Sequence, residues 1–489
     1  MKLTDEQEAA VTAALQVAAT AGHISLIGPA GCGKTTTIRA IAGRVLQRHL
    51  HKKVLLLAPT HKARRQFEAA ELPPGVQTMT IQKFCKVRAD QWRDQERFKI
   101  TSSSDIGTIE EINRKFALVI VDEASMVSQE LAAKTVDICH EAEVGVILAG
   151  DPYQLPPVKE RLGDDDDGPD ADVLDEGMAA EFLNAPVVIS LNQVMRHGGP
   201  ILEFATSMRA DWDALHSFPG LSAADQESQI VVLQDTQSAY IEHFTQVYMQ
   251  LVDGSIDETQ FYRDCPRALC YTNRAVHALT GRLREYIYGR RAMDGWQKRE
   301  IIMFPSYTRS ADGQTIHSST DAIVVDTSTF DVDVEGSPIH WKTPGRGLER
   351  VCELSFSGRF QELKVHIVKP NGVVDESQLH TVYTPLIGDD SPRKSYAELR
   401  RSVLAVKPRL GSKHAAWQWL SRIKNNYLTP VTSAFVLTVH KSQGSTFNHV
   451  YVSRDLLATR DRNTRNPLLY VAATRASKSI TFGAVNVSA

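Results

Sequence analysis

Short apolar runs that end in glycine, hydroxyl or carboxylate residues punctuate the first part of the chain. Ile24–Ile27, Lys53–Ala58, Ala117–Val121, Val144–Ala149 and Val187–Leu191 have the length and continuity of strands buried on both faces. Between them the period changes. After Thr4, a helix cap, Ala10, Val11, Ala14, Leu15 and Ala18 form one helical face; Thr36 to Leu46 repeats the spacing, and Pro200 to Met208 reads as a further helix. Strands alternating with helices predict an α/β fold on parallel sheets. Farther on, Ala322–Val325, Phe330–Val334, Val351–Phe356 and Leu363–Val368 alternate or run apolar with Gly and Pro between them, predicting a small β-rich module.

The strand ends carry the chemistry. Gly28-Pro29-Ala30-Gly31-Cys32-Gly33-Lys34-Thr35-Thr36 fits the phosphate-binding loop pattern and sits between a strand and a helix, the context the pattern requires. Its glycines let backbone N–H groups close around phosphate oxygens, Lys34 reaches the β and γ phosphates, and the Thr35 hydroxyl is a ligand for Mg²⁺. Asp122-Glu123 follows the Ala117–Val121 strand, so Asp122 can hold Mg²⁺ and Glu123 can polarise an attacking water. Gln154, in Gly150-Asp151-Pro152-Tyr153-Gln154-Leu155-Pro156-Pro157, is placed to sense a γ-phosphate, and the prolines stiffen the connection. Gln7 has the donor and acceptor that an adenine edge requires; taken alone it also fits a solvated helix residue. Pro59-Thr60-His61-Lys62 and Thr78 to Phe84 put small, hydroxylated and basic residues at strand ends, where open α/β sheets bind ligands and where helices also start.

With 489 residues, 42% hydrophobic, the chain exceeds a single core, and its net charge of −3 leaves nucleic-acid contact to local basic patches. The six cysteines form no CxxC pair and read as reduced thiols rather than a zinc site. No apolar signal core or membrane-length run occurs, so the expectation is an intracellular, cytoplasmic protein outside the membrane. Asp164–Asp167 and Asp170 read as a solvated acidic loop.

In order, Gly28–Thr36, Ala58–Lys62, Asp122–Met126 and Gly150–Pro157 resemble the motifs of superfamily 1 DNA helicases, and within them the Dda/RecD-like branch. Thr438–Thr446 resembles the fifth motif of that family, Leu469–Ala476 the sixth, and Tyr271–Arg274 a segment of its second motor domain. The resemblance implies two RecA-like P-loop motor domains with ATP and Mg²⁺ in the cleft. Expected boundaries are 1–85 and 117–190 for the first motor, 191–304 and 427–489 for the second, 86–116 for a pin-like insertion and 305–426 for an SH3-like accessory domain with a basic and aromatic arm. It implies arginine fingers at Arg196 and Arg475, and Gln443 and Gly444 beside the nucleotide. Pro59, Thr60, His61, Lys62 and Thr80, with Asn273, His440 and Ser442, would line the nucleic-acid track, contacting phosphates without reading sequence.

The arm around Trp417 and Trp419 suits base stacking or packing against the rest of the chain, and both readings stand. Trp92 or Phe98 would lie near the tip of a strand-separating pin. The expected partners are single-stranded and forked duplex DNA, with a single-strand-binding or replication protein beside them, and a monomer as the working form. Movement would run 5′ to 3′. Two other classes compete: a P-loop phosphotransferase, which has no use for Glu123 or the late motifs, and a nucleotide-gated binding module without turnover.

Overall fold

The computed structural model describes residues 3–68, 72–85, 87–90, 97–100, 108–157, 178–194, 199–210, 223–225, 228–233, 237–252, 255–343, 347–405 and 415–483. They form two units, one comprising Met1–Tyr240, Pro266–His277 and Leu437–Ala489, the other Ile241–Cys265 and Ala278–Val436.

The first unit holds two sheets. One is built from β1 (His23–Ile27), β2 (Lys53–Ala58), β3 (Val76–Thr80), β6 (Phe116–Val121), β7 (Gly145–Gly150) and β8 (Val187–Ser190), in the parallel order β3-β2-β6-β7-β1-β8. Its period is two, and both faces are covered: Leu118 and Ile120 of β6 join one apolar cluster, Val119 and Val121 the other. Between β3 and β6, β4 (Val87–Asp90) and β5 (Arg97–Ile100) pair as an antiparallel hairpin. The order places β1, β7 and β6 side by side, with Ile27 opposite Gly150 and Leu148 opposite Val121. Everything that follows these three strands therefore emerges at one edge, the ligand-binding edge of an open parallel sheet.

The second sheet comprises β9 (Ala223–Ala224), β10 (Gln229–Val232), β11 (Arg267–Cys270), β19 (Val436–Thr438), β20 (Phe447–Val452) and β21 (Ala476–Phe482), in the order β19-β11-β20-β21-β10-β9. Its β11-β20-β21-β10 centre is parallel and β9 runs antiparallel. This is a second α/β layer, consistent with the two RecA-like domains expected.

The second unit carries an antiparallel five-stranded sheet, β17-β16-β15-β12-β18, from β12 (Ile301–Phe304), β15 (Thr320–Thr343), β16 (Gly347–Val368), β17 (Val374–Pro385) and β18 (Thr432–Ser433), beside a small hairpin of β13 (Thr308–Arg309) and β14 (Thr315–Ile316). The sequence suggested four short strands separated by Gly and Pro; instead, each pair is one long strand. Glycine inside these strands marks close approach rather than an end. A Cβ at Gly336 would lie 3.0 Å from the Trp419 ring, and one at Gly358 would lie 2.6 Å from the Pro392 ring. Trp417 and Trp419, on the helix Ala415–Tyr427, pack partly buried against the cluster around Phe356, Phe360 and Leu420, so packing accounts for much of both side chains. Among the described residues no helix is long and apolar enough to cross a membrane.

Candidate nucleotide site and nucleic-acid track

The loop after β1 folds as its glycines require. Gly31 and Gly33 adopt φ values of 82° and 81°, and Gly33 caps the helix Lys34–Arg48. A Cβ on Gly28 would stand 2.6 Å from Cys32 Sγ and 2.7 Å from the Leu191 carbonyl, so only glycine lets the loop start this close to β8. Gly28 N donates to Gly150 O at 3.1 Å, tying the loop to the end of β7. Lys34 is buried and its Nζ donates to Gly28 O at 2.7 Å and Pro29 O at 2.9 Å, which holds the ammonium inside the loop it serves. Pro29, Ala30 and Cys32 complete the loop, with Thr36 half-buried and Thr35 exposed at the first turn of the helix.

Asp122 and Glu123 follow β6 as expected. Asp122 is 6% exposed; burial, and then the neighbouring Glu123, push its carboxyl up to about 7, while Lys34 pulls it down. Asp122 Oδ1, Glu123 Oε2 and Ser125 Oγ are buried with no hydrogen-bond partner among the described residues. Glu123 also holds a left-handed backbone, φ 50°, a conformation that costs a non-glycine residue about 1–2 kcal/mol. Unpartnered buried oxygens and local strain in one turn mark a site shaped for a ligand rather than for stability. Two carboxylates and an exposed Thr35 hydroxyl form a donor set that fits Mg²⁺, which takes few protein ligands and keeps phosphate and water oxygens.

Gln154 is buried at 3%, its N–H donating to Asp151 O at 3.0 Å. Arg475 is buried too, with Nε on Val471 O, one terminal nitrogen on Ser445 O and the other on Thr474 Oγ1. Gln443 is buried, its Nε2 without a hydrogen-bond partner among the described residues, and Gly444 follows at φ 75°. Gln7 is buried rather than solvated: its Oε1 accepts from Thr4 N at 3.1 Å, closing a capping box at the helix Asp5–Thr20. Arg196, the acidic loop near Asp164 and Trp92 lie outside the described residues. Phe98 stands in β5 opposite Ala89.

Along the expected track, Thr60 and His61 are exposed and Lys62 Nζ donates to Lys441 O at 3.4 Å, bringing the Ala58–Lys62 and Thr438–Thr446 segments together. Pro59 is buried and its carbonyl accepts from Gln82. Thr80 caps the short helix Ile81–Phe84, accepting from Lys83 N. Asn273 is exposed at the start of the helix Asn273–Tyr288, and Ser442 Oγ donates to Val439 O. Burial pushes the His440 imidazole down to about 4, so at neutral pH it brings no charge to a phosphate. The second unit has a groove of about 770 Å³ lined by Trp417, Arg309, Arg422, Tyr383, Asn425 and Tyr427.

Sequence patterns did not single out Tyr470, Asp151 or Arg209, which the fold brings together beside the loop. Asp151 and Tyr470 stand inside the Gly150–Pro157 and Leu469–Ala476 segments, but their pairing is set only by tertiary structure.

The family model of an AAA domain matches residues 2–164, and that of a UvrD-like helicase C-terminal domain matches residues 433–482. The uncharacterized protein R530 of Acanthamoeba polyphaga mimivirus is 22% identical over 94% of each chain. The human RNA helicase Mov10l1 is 30% identical over 28% of this chain and 13% of its own length. Among solved structures, the Pif1 helicase from Candida albicans aligns with 99% of this chain and 96% of its own at 16% identity and a TM-score of 0.46. A Bacteroides Pif1 helicase in complex with ADP-AlF3 and ssDNA aligns with 98% and 92% at 16% identity and the same score. The AAA domain match spans the phosphate loop and the Asp122-Glu123 turn, and the UvrD-like helicase C-terminal domain match spans the late motifs, so the chain pairs an AAA domain with a UvrD-like helicase C-terminal domain.

Proposed function

We propose that this chain is an ATP-dependent helicase that acts on DNA, moving along a single strand from 5′ to 3′ and separating a duplex ahead of it. The observation that carries the reading is the buried Asp122-Glu123 turn beside the Lys34 loop, in the same unit as a second sheet that supplies the fifth and sixth motifs. In this reading Asp122 and Thr35 hold Mg²⁺, which when bound neutralises phosphate charge. Glu123 takes a proton from the attacking water, and Lys34 and the loop amides hold the phosphates. Gln154 reads the γ-phosphate, Gln7 the base, and Gln443 and Gly444 border the nucleotide. Arg475 and Arg196 stabilise charge on the transferring phosphoryl group.

Thr60, His61, Lys62 and Asn273 offer exposed or half-buried polar groups to a strand, and the less exposed Pro59, Thr80, His440 and Ser442 belong to the same proposed track. Trp417 adds a stacking face on the second unit, and the hairpin of β4 and β5, with Trp92 or Phe98, is the pin. The resemblance to the Dda/RecD-like branch supports DNA over RNA and the direction of travel.

Strand separation on duplexes with a single 5′ or 3′ overhang, with ATP and Mg²⁺, tests this. Opening of the 5′-tailed duplex alone is expected. Opening of the 3′-tailed one alone would overturn the polarity, and opening of an RNA duplex in its place would overturn the substrate.

A further inference from the structure

Three stretches far apart in the sequence meet at one hydroxyl. Tyr470, on the helix Arg462–Ala473 and 2% exposed, donates its O–H to Asp151 Oδ2 at 2.6 Å and accepts from Ala30 N at 3.2 Å. Asp151 is fully buried; its other oxygen accepts from Tyr153 N at 3.1 Å and faces the Arg209 guanidinium at 3.8 Å. Arg209 lies 4.6 Å over the Tyr153 ring and 5.8 Å from the centre of the Tyr470 ring. Ala30 belongs to the phosphate loop, Asp151 opens the turn that ends in Gln154, and Tyr470 precedes Arg475 on the same helix and the turn after it.

A buried carboxylate is costly unless it is hydrogen-bonded. Here one donor comes from the helix that leads to Arg475, and a further cation comes from the helix Gly199–Ala210. Any movement of those helices away from β7 strips Asp151 of Tyr470 and Arg209, leaving it only the Tyr153 N–H of its own turn, and frees the Ala30 N–H. The state of the loop and the position of the second sheet's helices are thus linked energetically through one side chain.

We propose that Tyr470, assisted by Arg209, is a positioning residue that couples the phosphate loop to the second sheet, setting how strongly a gripped strand accelerates turnover. The inference rests on the DNA helicase reading above. Tyr470→Phe keeps the ring and its stacking and removes only the hydroxyl. ATP hydrolysis is measured with and without a single-stranded oligonucleotide, resolving kcat and KM.

The ratio of kcat with DNA to kcat without it is expected to fall on the order of tenfold, with KM for ATP moving less than about twofold. Arg209→Gln, at a side chain 24% exposed, should lower the same ratio by a smaller factor and decides the matter should the phenylalanine variant not fold. An unchanged ratio in Arg209→Gln and in folded Tyr470→Phe would overturn the proposal, as would equal proportional losses with and without DNA, the mark of a structural role. A wild-type enzyme that DNA does not stimulate would overturn the underlying function instead, and the wild type alone reveals it.

Discussion

Two glycines close in sequence should respond oppositely to the same added methyl group. At Gly28 a Cβ would come within 2.6 Å of Cys32 Sγ and 2.7 Å of Leu191 O, whereas ordinary contact begins near 3.4 Å. The loop and the chain after β8 must therefore part by about 0.7 Å, and Leu191 resists because its own N–H is held by Ile27 O at 2.8 Å. Overpacking of this kind costs about 1–3 kcal/mol. A loop displaced by close to an ångström loses on the order of a hundredfold in kcat/KM.

Gly43 lies inside the helix Lys34–Arg48, and its added Cβ would meet only Pro73 Cγ, at 4.0 Å. Gly43→Ala should stabilise by about 0.5–1 kcal/mol through a lower chain entropy in the unfolded state, with hydrolysis intact. Urea unfolding and steady-state ATP hydrolysis on both variants provide the assay. Wild-type stability and kcat/KM in Gly28→Ala would refute the steric reasoning. Because Leu191 O remains, adding Cys32→Ala to Gly28→Ala should restore only part of the loss.

Two further outcomes follow from the site. Glu123→Gln should lower kcat by about 10²–10⁴ while nucleotide still binds, as a lost general base does; full turnover would remove Glu123 from the chemistry. His440, held down to about 4 by burial against an ordinary 6.5, takes up its proton later in the folded state than in the unfolded one. Its contribution of about 3 kcal/mol is thus complete above about pH 6.5 and lost as pH falls towards 4. Urea titrations at pH 7 and pH 5 should show a smaller pH difference in His440→Asn than in the wild type, and an equal difference would show that the imidazole is not buried neutral.

Much of the candidate nucleotide site was legible because its chemistry is bound to local sequence. Phosphate binding demands glycines, a lysine and a hydroxyl after a buried strand, and two carboxylates after a parallel strand have few structural uses. Gln7 has a second use that this reading left out. A glutamine three residues after Thr4 is also a capping-box residue, and the fold uses its Oε1 in that way. The long strands β15 and β16 were hidden because Gly336 and Gly358 look like strand ends, whereas Trp419 and Pro392 fill the space their missing side chains leave. Tyr470 and Asp151 lie 319 positions apart, and no local pattern announces a bond across that distance.

The Asp122-Glu123 turn concentrates costs that the rest of the sheet avoids. β6 buries six residues in succession without a charge and with both faces packed, yet its next two residues are carboxylates, one of them in a left-handed conformation. A fold selected for stability alone would place a glycine or asparagine at Glu123 and an apolar residue or a hydrogen-bonded amide at Asp122. Lys34 offsets part of the charge on Asp122, but its own donors point to the Gly28 and Pro29 carbonyls, so the orphaned Asp122 Oδ1 and Glu123 Oε2 are not satisfied by the lysine. In the proposed function, a group that arrives with the nucleotide satisfies them. On that proposal the strain and the unpartnered oxygens are the cost of a turn preorganised for phosphate chemistry, already set before its ligand binds.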